Sequence, residues 1–336
     1  MNISVDAGAL CVKKRKRFGN FTFTINCLTA LAKYDLTNTY TAYGFCPLPS
    51  DVHLSKRIRF RILRPSPLWL STRVGLEEVF RPKDIFLAFN QAIPIFGKSK
   101  IISFSHGLSY HFFPELYPDS TDAMHDQIST MIKKSAFIVV SSKKVKKELL
   151  KMYSDYPNFK SVSYGIPYDM LKYTPTKRKK YFLYVGMNHP IKNVPFVIKA
   201  FLAFSKKIPG YSLYLVGDLD HYENMTDRIF VQNSIGRDDL KDLYAQATGF
   251  LTASLYESFN LPILEALSQR CHVIGLESAV IPELEPFTKT ATNLNEFVTN
   301  MTDAAIGKLP DIDIKHLRNK FSWRKYTEKL MEFYTL

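Results

Sequence analysis

The sequence predicts an α/β protein of two doubly wound, Rossmann-like domains, each a parallel sheet with crossover helices. Three observations carry this. Short apolar runs that read as buried strands alternate with helically spaced stretches. The alternation stops at a polar, proline-containing segment, residues 173–180, and then begins again. The chain has 336 residues, enough for two domains of about 150 residues each.

Residues 2–7 are the first expected strand. A basic run at 13–17 follows, then Phe18-Gly19-Asn20, then 21–33 with Ile25, Leu28, Leu31 and Ala32 at helical spacing. A strand, a basic glycine-containing loop and a helix would aim free N–H groups at the loop, as an anion site does. The same residues also read as a solvated charge run on a surface loop. Strands are expected at 84–89, 100–104 and 136–140, with helices at 122–134 and 143–153. The boundary falls at 175, giving an N-terminal domain over 1–175 and a C-terminal domain over 176–314. In the latter, strands are expected at 181–185, 211–216, 249–252 and 272–275, and helices at 195–206, 238–246 and 261–269. The helix at 238–246 opens with acids, as the helix dipole favours. An amphipathic helix over the tail, 315–336, is expected to return to the first domain. Ligands of such sheets bind at the carboxyl ends of the strands, here in a cleft that the two domains face.

Hydrophobic residues make up 46% of the chain and charged residues 23%, which suffices for a core and excludes disorder, collagen and small disulfide scaffolds. The net charge of +14 is uneven: residues 1–175 hold 25 basic and 13 acidic residues, and residues 176–336 hold 20 and 18. The first half therefore looks toward something anionic, whether a phosphorylated ligand, a membrane surface or nucleic acid. Lys143, Lys144, Lys146, Lys147 and Lys151, with Lys133 and Lys134, read either as a solvated face or as contact with an anionic surface. Cys11, Cys27, Cys46 and Cys271 form no CxxC pair, which favours a reducing compartment. The opening residues lack the charged start and apolar run of a signal peptide, so none is expected, and no run of about 18 uncharged apolar residues occurs. The expected location is cytoplasmic, with the basic half suited to peripheral contact with a membrane.

The sharpest stretch runs from Ser254 to Leu267. A strand ends near Ser254, a loop carries Glu257, and Pro262 suits the first turn of a helix that carries Glu265. The amides of Phe259, Asn260 and Leu261 would form an anion cradle. The carboxylates would accept from the hydroxyls of a sugar or ribose. Read by spacing alone, the two glutamates are equally well surface acids. Asp218-Leu219-Asp220 and Asp311-Ile312-Asp313 have the DxD form of a metal site, but acid triplets of this kind are common. His106 and His111 stand five apart, and no HExxH, GxSxG, GxxxxGK[ST] or GxGxxG occurs.

Glu257 and Glu265 match the E-x7-E signature of the GT4-type retaining glycosyltransferases, which have the GT-B fold. The segment from Tyr184 through Gly186 and Lys192 to Asn193 resembles that family's glycine loop. Leu213 to Gly217 resembles its next strand, Asp239-Leu240 with Leu243-Tyr244 a conserved helix, and Ile281-Pro282-Glu283-Leu284 a Pro-Glu turn. Phe321-Ser322-Trp323 resembles its closing helix. In the first half Ser105-His106-Gly107-Leu108, Val139-Val140-Ser141 and Tyr164-Gly165-Ile166-Pro167 resemble further segments, and Phe18 to Phe21 stands where a glycine loop is usual. The resemblance covers most of the chain and is densest from 181 to 285.

The resemblance implies a glycosyltransferase that moves a sugar from a UDP- or GDP-linked donor to an acceptor glycan, lipid or protein, with retention and without a metal or other cofactor. It implies that Lys192 meets the donor diphosphate and Glu257 the donor sugar. Ser258, Phe259, Asn260 and Leu261 would line the donor, and Glu265 would hold the ribose. Gly19 and Gly186 would let backbone approach the phosphates, and His106 would act near the reacting carbon. Base recognition is placed at Ser234 and Ile235. The chain departs from the family at Met187 and Ile191, where an arginine is usual, at Asn260 in place of glycine, at Gly107 in place of aspartate, and at Arg270-Cys271-His272. Those departures keep two rivals in view. One is a GT-B enzyme of other chemistry, such as a sugar-nucleotide epimerase or a DNA-modifying glucosyltransferase. The other is a non-catalytic sugar-nucleotide-binding protein. Nucleic acid is the less favoured partner.

Overall fold

Parallel strands covered by helices must be apolar on both faces. The central strands of this chain meet that demand: every residue of Ile85–Ala88, Phe137–Val140 and Gly249–Thr252 is buried. The computed structural model describes all residues except 14–16, 18, 224 and 234, and counts refer to the described residues. Contacts divide the chain into two compact units, Met1–Gly165 with Ser322–Leu336, and Ile166–Phe321.

The first unit contains β1 (Asn2–Asp6), α1 (Gly19–Tyr34), β2 (Thr39–Gly44), β3 (Ile58–Ile62), α2 (Gly75–Phe80) and β4 (Ile85–Ala88). It continues with β5 (Lys100–Ser105), α3 (Ser109–Phe112), α4 (Thr121–Lys134), β6 (Phe137–Val140), α5 (Lys143–Met152) and β7 (Phe159–Ser161). The seven strands pair in parallel in the order β3-β2-β1-β4-β5-β6-β7. The order reverses between β1 and β4, the place where a doubly wound sheet opens its ligand crevice. On α5, Val145 and Leu149 are buried while Lys143, Lys147 and Lys151, four apart, are exposed.

The second unit contains β8 (Tyr181–Val185), α6 (Val194–Lys207), β9 (Ser212–Val216), β10 (Ile229–Gln232), α7 (Arg237–Gln246) and β11 (Gly249–Thr252). It continues with α8 (Leu261–Ser268), β12 (Val273–Leu276), β13 (Lys289–Ala291), α9 (Leu294–Ala305) and α10 (Ile314–Lys320). Its six parallel strands run β10-β9-β8-β11-β12-β13, with the reversal between β8 and β11. The core packs α6 and α9 against the sheet through Phe201, Phe204, Phe297 and Met301.

The last helix, α11 (Trp323–Thr335), packs on α1 in the first unit. Phe23 of α1 is 1% exposed. Rings of Phe89, Phe104, His106, Tyr164, Trp323 and Tyr326 surround it at 4.9–6.3 Å. No helix among the described residues is long and apolar enough to cross a membrane.

The division falls at 165/166 and 321/322 rather than at the expected 175/176 and 314/315. Hydrogen bonds explain the shift. Ile166 N donates to Phe321 O (3.1 Å), Gln269 Nε2 to Met170 O (2.6 Å) and Arg318 Nη2 to Leu171 O (2.7 Å), so residues 166–171 are tied into the second unit. Helix α10 packs on α8 there, so the tail is two helices, not one. The sequence reading missed β2, β3, β7, β10 and β13. β3, β7, β10 and β13 are the four edge strands and β2 neighbours β3, and β3 alternates arginine with apolar residues as an edge strand does.

Phe23→Ala should lower the stability of the first unit by about 3–5 kcal/mol, the usual cost of emptying a buried aromatic site. Chemical denaturation followed by tryptophan fluorescence measures it, and a loss under about 1 kcal/mol would show that the ring cluster carries little of the core.

Candidate functional site

The carboxyl ends of β8 and β9 meet at two glycines. Gly186 N donates to Val216 O (3.0 Å). Gly217 has φ +147°, and a Cβ there would run into the Gly186 carbonyl, so glycine is required for the approach. The loop after β8 then tightens into a turn, Pro190–Lys192, in which His189 Nδ1 accepts from Ile191 N (3.2 Å). Asn193, at φ 51°, ends that turn in the left-handed region and starts α6. Leu255 N donates to Ile191 O (2.8 Å), which stitches this loop to the one after β11.

The stitch brings two of the expected residues together. Lys192 Nζ lies 2.6 Å from Glu257 Oε1, and Ser254 Oγ donates to the same oxygen at 2.8 Å. The lysine side chain is 24% exposed and the glutamate 10%, so the pair is half-screened from water but reachable. Met187 is half-buried, and Ile191 is 4% exposed and packed inward. Neither can replace the arginine usual in the resembled family.

The loop after Glu257 turns into α8 at Asn260, which has φ 65°. Its Nδ2 donates to Thr252 Oγ1 (3.1 Å) and Ala279 O (3.0 Å), and these bonds hold an asparagine in a conformation where glycine is usual. Phe259 is buried against Phe321, and Leu261 and Pro262 open the helix. Glu265, 4% exposed, lies one turn in. Its Oε1 accepts from Arg237 Nη2 (2.7 Å) and its Oε2 from Tyr244 OH (3.3 Å). Arg237 in turn grips Asp169, Nε to Oδ2 at 2.6 Å and Nη2 to Oδ1 at 3.2 Å.

Arg237, Asp169, Ser254 and Tyr244 were missed as site residues by the sequence reading. For Arg237 a signal existed: a cation in the first turn of a helix opposes the dipole, so its place in α7 calls for an anionic partner. Of the two residues assigned to the base, Ile235 precedes the N-cap residue Gly236 of α7, and Ser234 lies outside the described residues. Lys14, Arg15, Lys16 and Phe18 also lie outside them.

In the first unit, Gly19 opens α1 with nothing within 4 Å of where a Cβ would stand. Arg17 is bound to Asp51 (2.5 Å) and lies over the Phe21 ring. His106 follows β5. Its Nε2 bonds to Phe89 O, and because a carbonyl only accepts, that nitrogen carries the proton. Nδ1 then accepts from Tyr164 OH (3.0 Å). Burial holds the imidazole below its usual pKa, so it is neutral at pH 7. Both ring nitrogens are thus occupied within the unit, and a ligand contact would replace one of these bonds. Of the acid triplets, Asp220 accepts from Asn233 Nδ2, and Asp313 caps α10 by accepting from His316 N (2.8 Å). Among the described residues no group of three or more His, Cys, Asp or Glu is placed to hold a metal ion.

Two doubly wound parallel sheets, one in each unit, are the architecture of the GT-B fold. The comparisons agree. Residues 179–305 match the family model of Glycosyl transferases group 1. The O-antigen chain mannosyltransferase RfbU of Salmonella typhimurium is 23% identical over 77% of this chain and 74% of its own length. The solved sucrose-phosphate synthase of Thermosynechococcus elongatus superposes with a TM-score of 0.74 at 16% identity, covering 99% of this chain and 98% of that one. HepE of Anabaena, solved with UDP-glucose, gives 0.73 at 14% identity over 99% of both chains. The chain is a glycosyltransferase with the GT-B fold, and its residues 179–305 resemble the group 1 family.

At the end of β1, Asp6 is 1% exposed and accepts from Gly8 N (2.9 Å) and Asn90 Nδ2 (2.8 Å). Burial outweighs these bonds and a further one from the Asn90 backbone N–H, and lifts its pKa to about 6. Because the folded state binds this proton more tightly than the unfolded chain, stability should be highest below pH 4 for this group and fall as pH rises toward 6. The change should total about 3 kcal/mol. Urea denaturation at pH 4.5 and 7, an interval that spans about 2 kcal/mol of that change, in the parent and in Asp6→Asn measures it; an unchanged pH slope in the variant would acquit Asp6.

Proposed function

We propose that the protein transfers a sugar, with retention of anomeric configuration and without a metal, from a UDP- or GDP-linked donor to a hydroxyl of a glycan, lipid or protein acceptor. The observation that carries this is the Lys192–Glu257 pair standing before Glu265 on α8. The spacing of the two glutamates is that of the E-x7-E signature. The mannosyltransferase relative supports a hexosyl donor, and the neighbour solved with UDP-glucose supports a nucleotide-linked one.

In this reading the donor diphosphate takes over Lys192. Glu257, released from the lysine but still held by Ser254, turns to the hydroxyls of the donor sugar. Gly186, Ser258, Phe259, Asn260 and Leu261 line the donor with backbone, and Glu265 faces the ribose. The bond from the anomeric carbon to the phosphate oxygen breaks, and the diphosphate leaves with the electron pair. The acceptor oxygen bonds to the same face of the carbon, and its proton passes to the departing phosphate oxygen. The protein contributes position and charge rather than a covalent nucleophile. His106 stays neutral and donates or accepts without changing charge. The exposed lysines of α5 support contact with an anionic membrane surface, where each adds about 1 kcal/mol.

A melting panel with UDP, GDP, ADP and their common sugar conjugates, with and without EDTA, tests the donor. One base should raise the melting temperature, and EDTA should not alter the shift. A hundredfold excess over Kd is worth about 2.7 kcal/mol. Lys192→Ala and Glu257→Ala should each cut transfer on that donor about 10²–10³-fold. Full activity in both would sink the assignment, as would a product with inverted anomeric configuration by NMR.

For the membrane, Lys143→Glu with Lys147→Glu and Lys151→Glu should abolish co-sedimentation with anionic vesicles at low salt. Equal binding by parent and triple variant would remove α5 from the contact.

A further inference from the structure

We infer that Arg237 is a donor-binding residue, a fixed guanidinium that meets the base and ribose of the nucleotide through its outer nitrogen while holding Glu265 in place. The inference rests on the donor site proposed above and adds to it a residue and a division of labour.

Three elements converge on this side chain. Asp169, from the segment just inside the second unit, takes Nε and Nη2 at 2.6 and 3.2 Å in a two-pronged grip. Glu265, from α8, takes the other proton direction of Nη2 at 2.7 Å. The remaining nitrogen, Nη1, has no hydrogen-bond partner among the described residues. The side chain is 42% exposed, so it can be reached from solvent. A guanidinium is planar, and with one edge clamped its free edge has one direction to offer. What it offers are donors for oxygen or ring-nitrogen acceptors, the groups carried by nucleobase edges and ribose.

The surroundings complete the chemistry. Glu265 is anchored at one oxygen by Arg237 and at the other by Tyr244, yet each carboxylate oxygen keeps a further lone pair to accept from a hydroxyl. A fixed acceptor beside a fixed donor matches a ribose whose base presents carbonyl oxygens. Arg237 also follows directly on Ile235 and Gly236, next to the position the resemblance implies for the base. Lys192 is on a different loop and is paired with a different glutamate. The two cations therefore divide the donor, Lys192 to the diphosphate and Arg237 to the nucleoside. Because its edge is held by Asp169, Arg237 needs little ordering on binding, and a lysine could not reproduce the fork.

The test is calorimetric titration of the full chain with UMP, UDP, GMP and GDP. Arg237→Ala and Arg237→Lys should each weaken the monophosphate and the diphosphate of the preferred base by the same factor, tenfold or more. Lys192→Ala should weaken the diphosphate more than the monophosphate. Asp169→Asn, which keeps the guanidinium but loosens its grip, should fall between, at about threefold. Melting curves of every variant separate binding from folding, and if Arg237→Ala proves unstable the lysine and Asp169 variants carry the test. Parent-like affinity in Arg237→Ala overturns the inference. So does full recovery in Arg237→Lys, which would leave Arg237 only as a counter-charge for Glu265. If the parent binds none of the four nucleotides, the donor site itself falls, and this inference with it.

Discussion

One backbone hydrogen bond, from Leu255 N to the carbonyl of Ile191, joins the loops after β8 and β11. These strands are neighbours in the sheet but distant in sequence, and β8 is where the strand order reverses toward β11. The bond sets the depth at which Lys192 and Glu257 face each other. It requires the chain to turn at Pro190 and to enter α6 through a left-handed Asn193. β8 and β9 end beside it at two glycines that lie carbonyl against Cα. Each of these demands is local, and each is met by a residue whose backbone preferences suit it.

The two glutamates of the site are both paired with a cation, one on each side of the turn into α8. A carboxylate this deep in protein needs such compensation, since its desolvation costs several kcal/mol. Glu257 and Glu265 with Asp169 carry three negative charges against two positive ones on Lys192 and Arg237. The resting site is therefore close to neutral, and a diphosphate does not enter a preformed positive field within this unit. In the reading proposed above, a donor diphosphate would have to win Lys192 from Glu257. Competition of that kind favours a ligand that offers Glu257 something in return, which a sugar hydroxyl does and a bare phosphate does not.

Much of this was legible beforehand. The strands at 181–185 and 249–252 stand where the apolar runs place them, because a fully buried strand leaves an uninterrupted signature. The turn from Glu257 into α8 was readable from Pro262, whose fixed φ announces a first turn. The edge strands were not readable, since half-exposed residues such as Arg59 and Arg61 break the apolar pattern. The domain boundary was misplaced because composition marks the polar segment at 173–180, whereas the true division is made by hydrogen bonds to residues more than a hundred positions away. Arg237 was overlooked for a related reason: its partners, Asp169 and Glu265, come together only in the fold. His106 was singled out by its position, but the bonds on both its nitrogens depend on Phe89 and Tyr164, which no local pattern connects to it.

The packing of α11 on α1 has a consequence for biosynthesis. The second unit is one continuous stretch, Ile166–Phe321, while the first is completed by a helix that follows it. On the ribosome, the second unit has its whole sequence available before Trp323 and Tyr326 emerge to close the ring cluster around Phe23. The part made first is therefore finished last, and through most of translation its apolar face at α1 stands uncovered, a surface for chaperones to shelter until the final helix arrives.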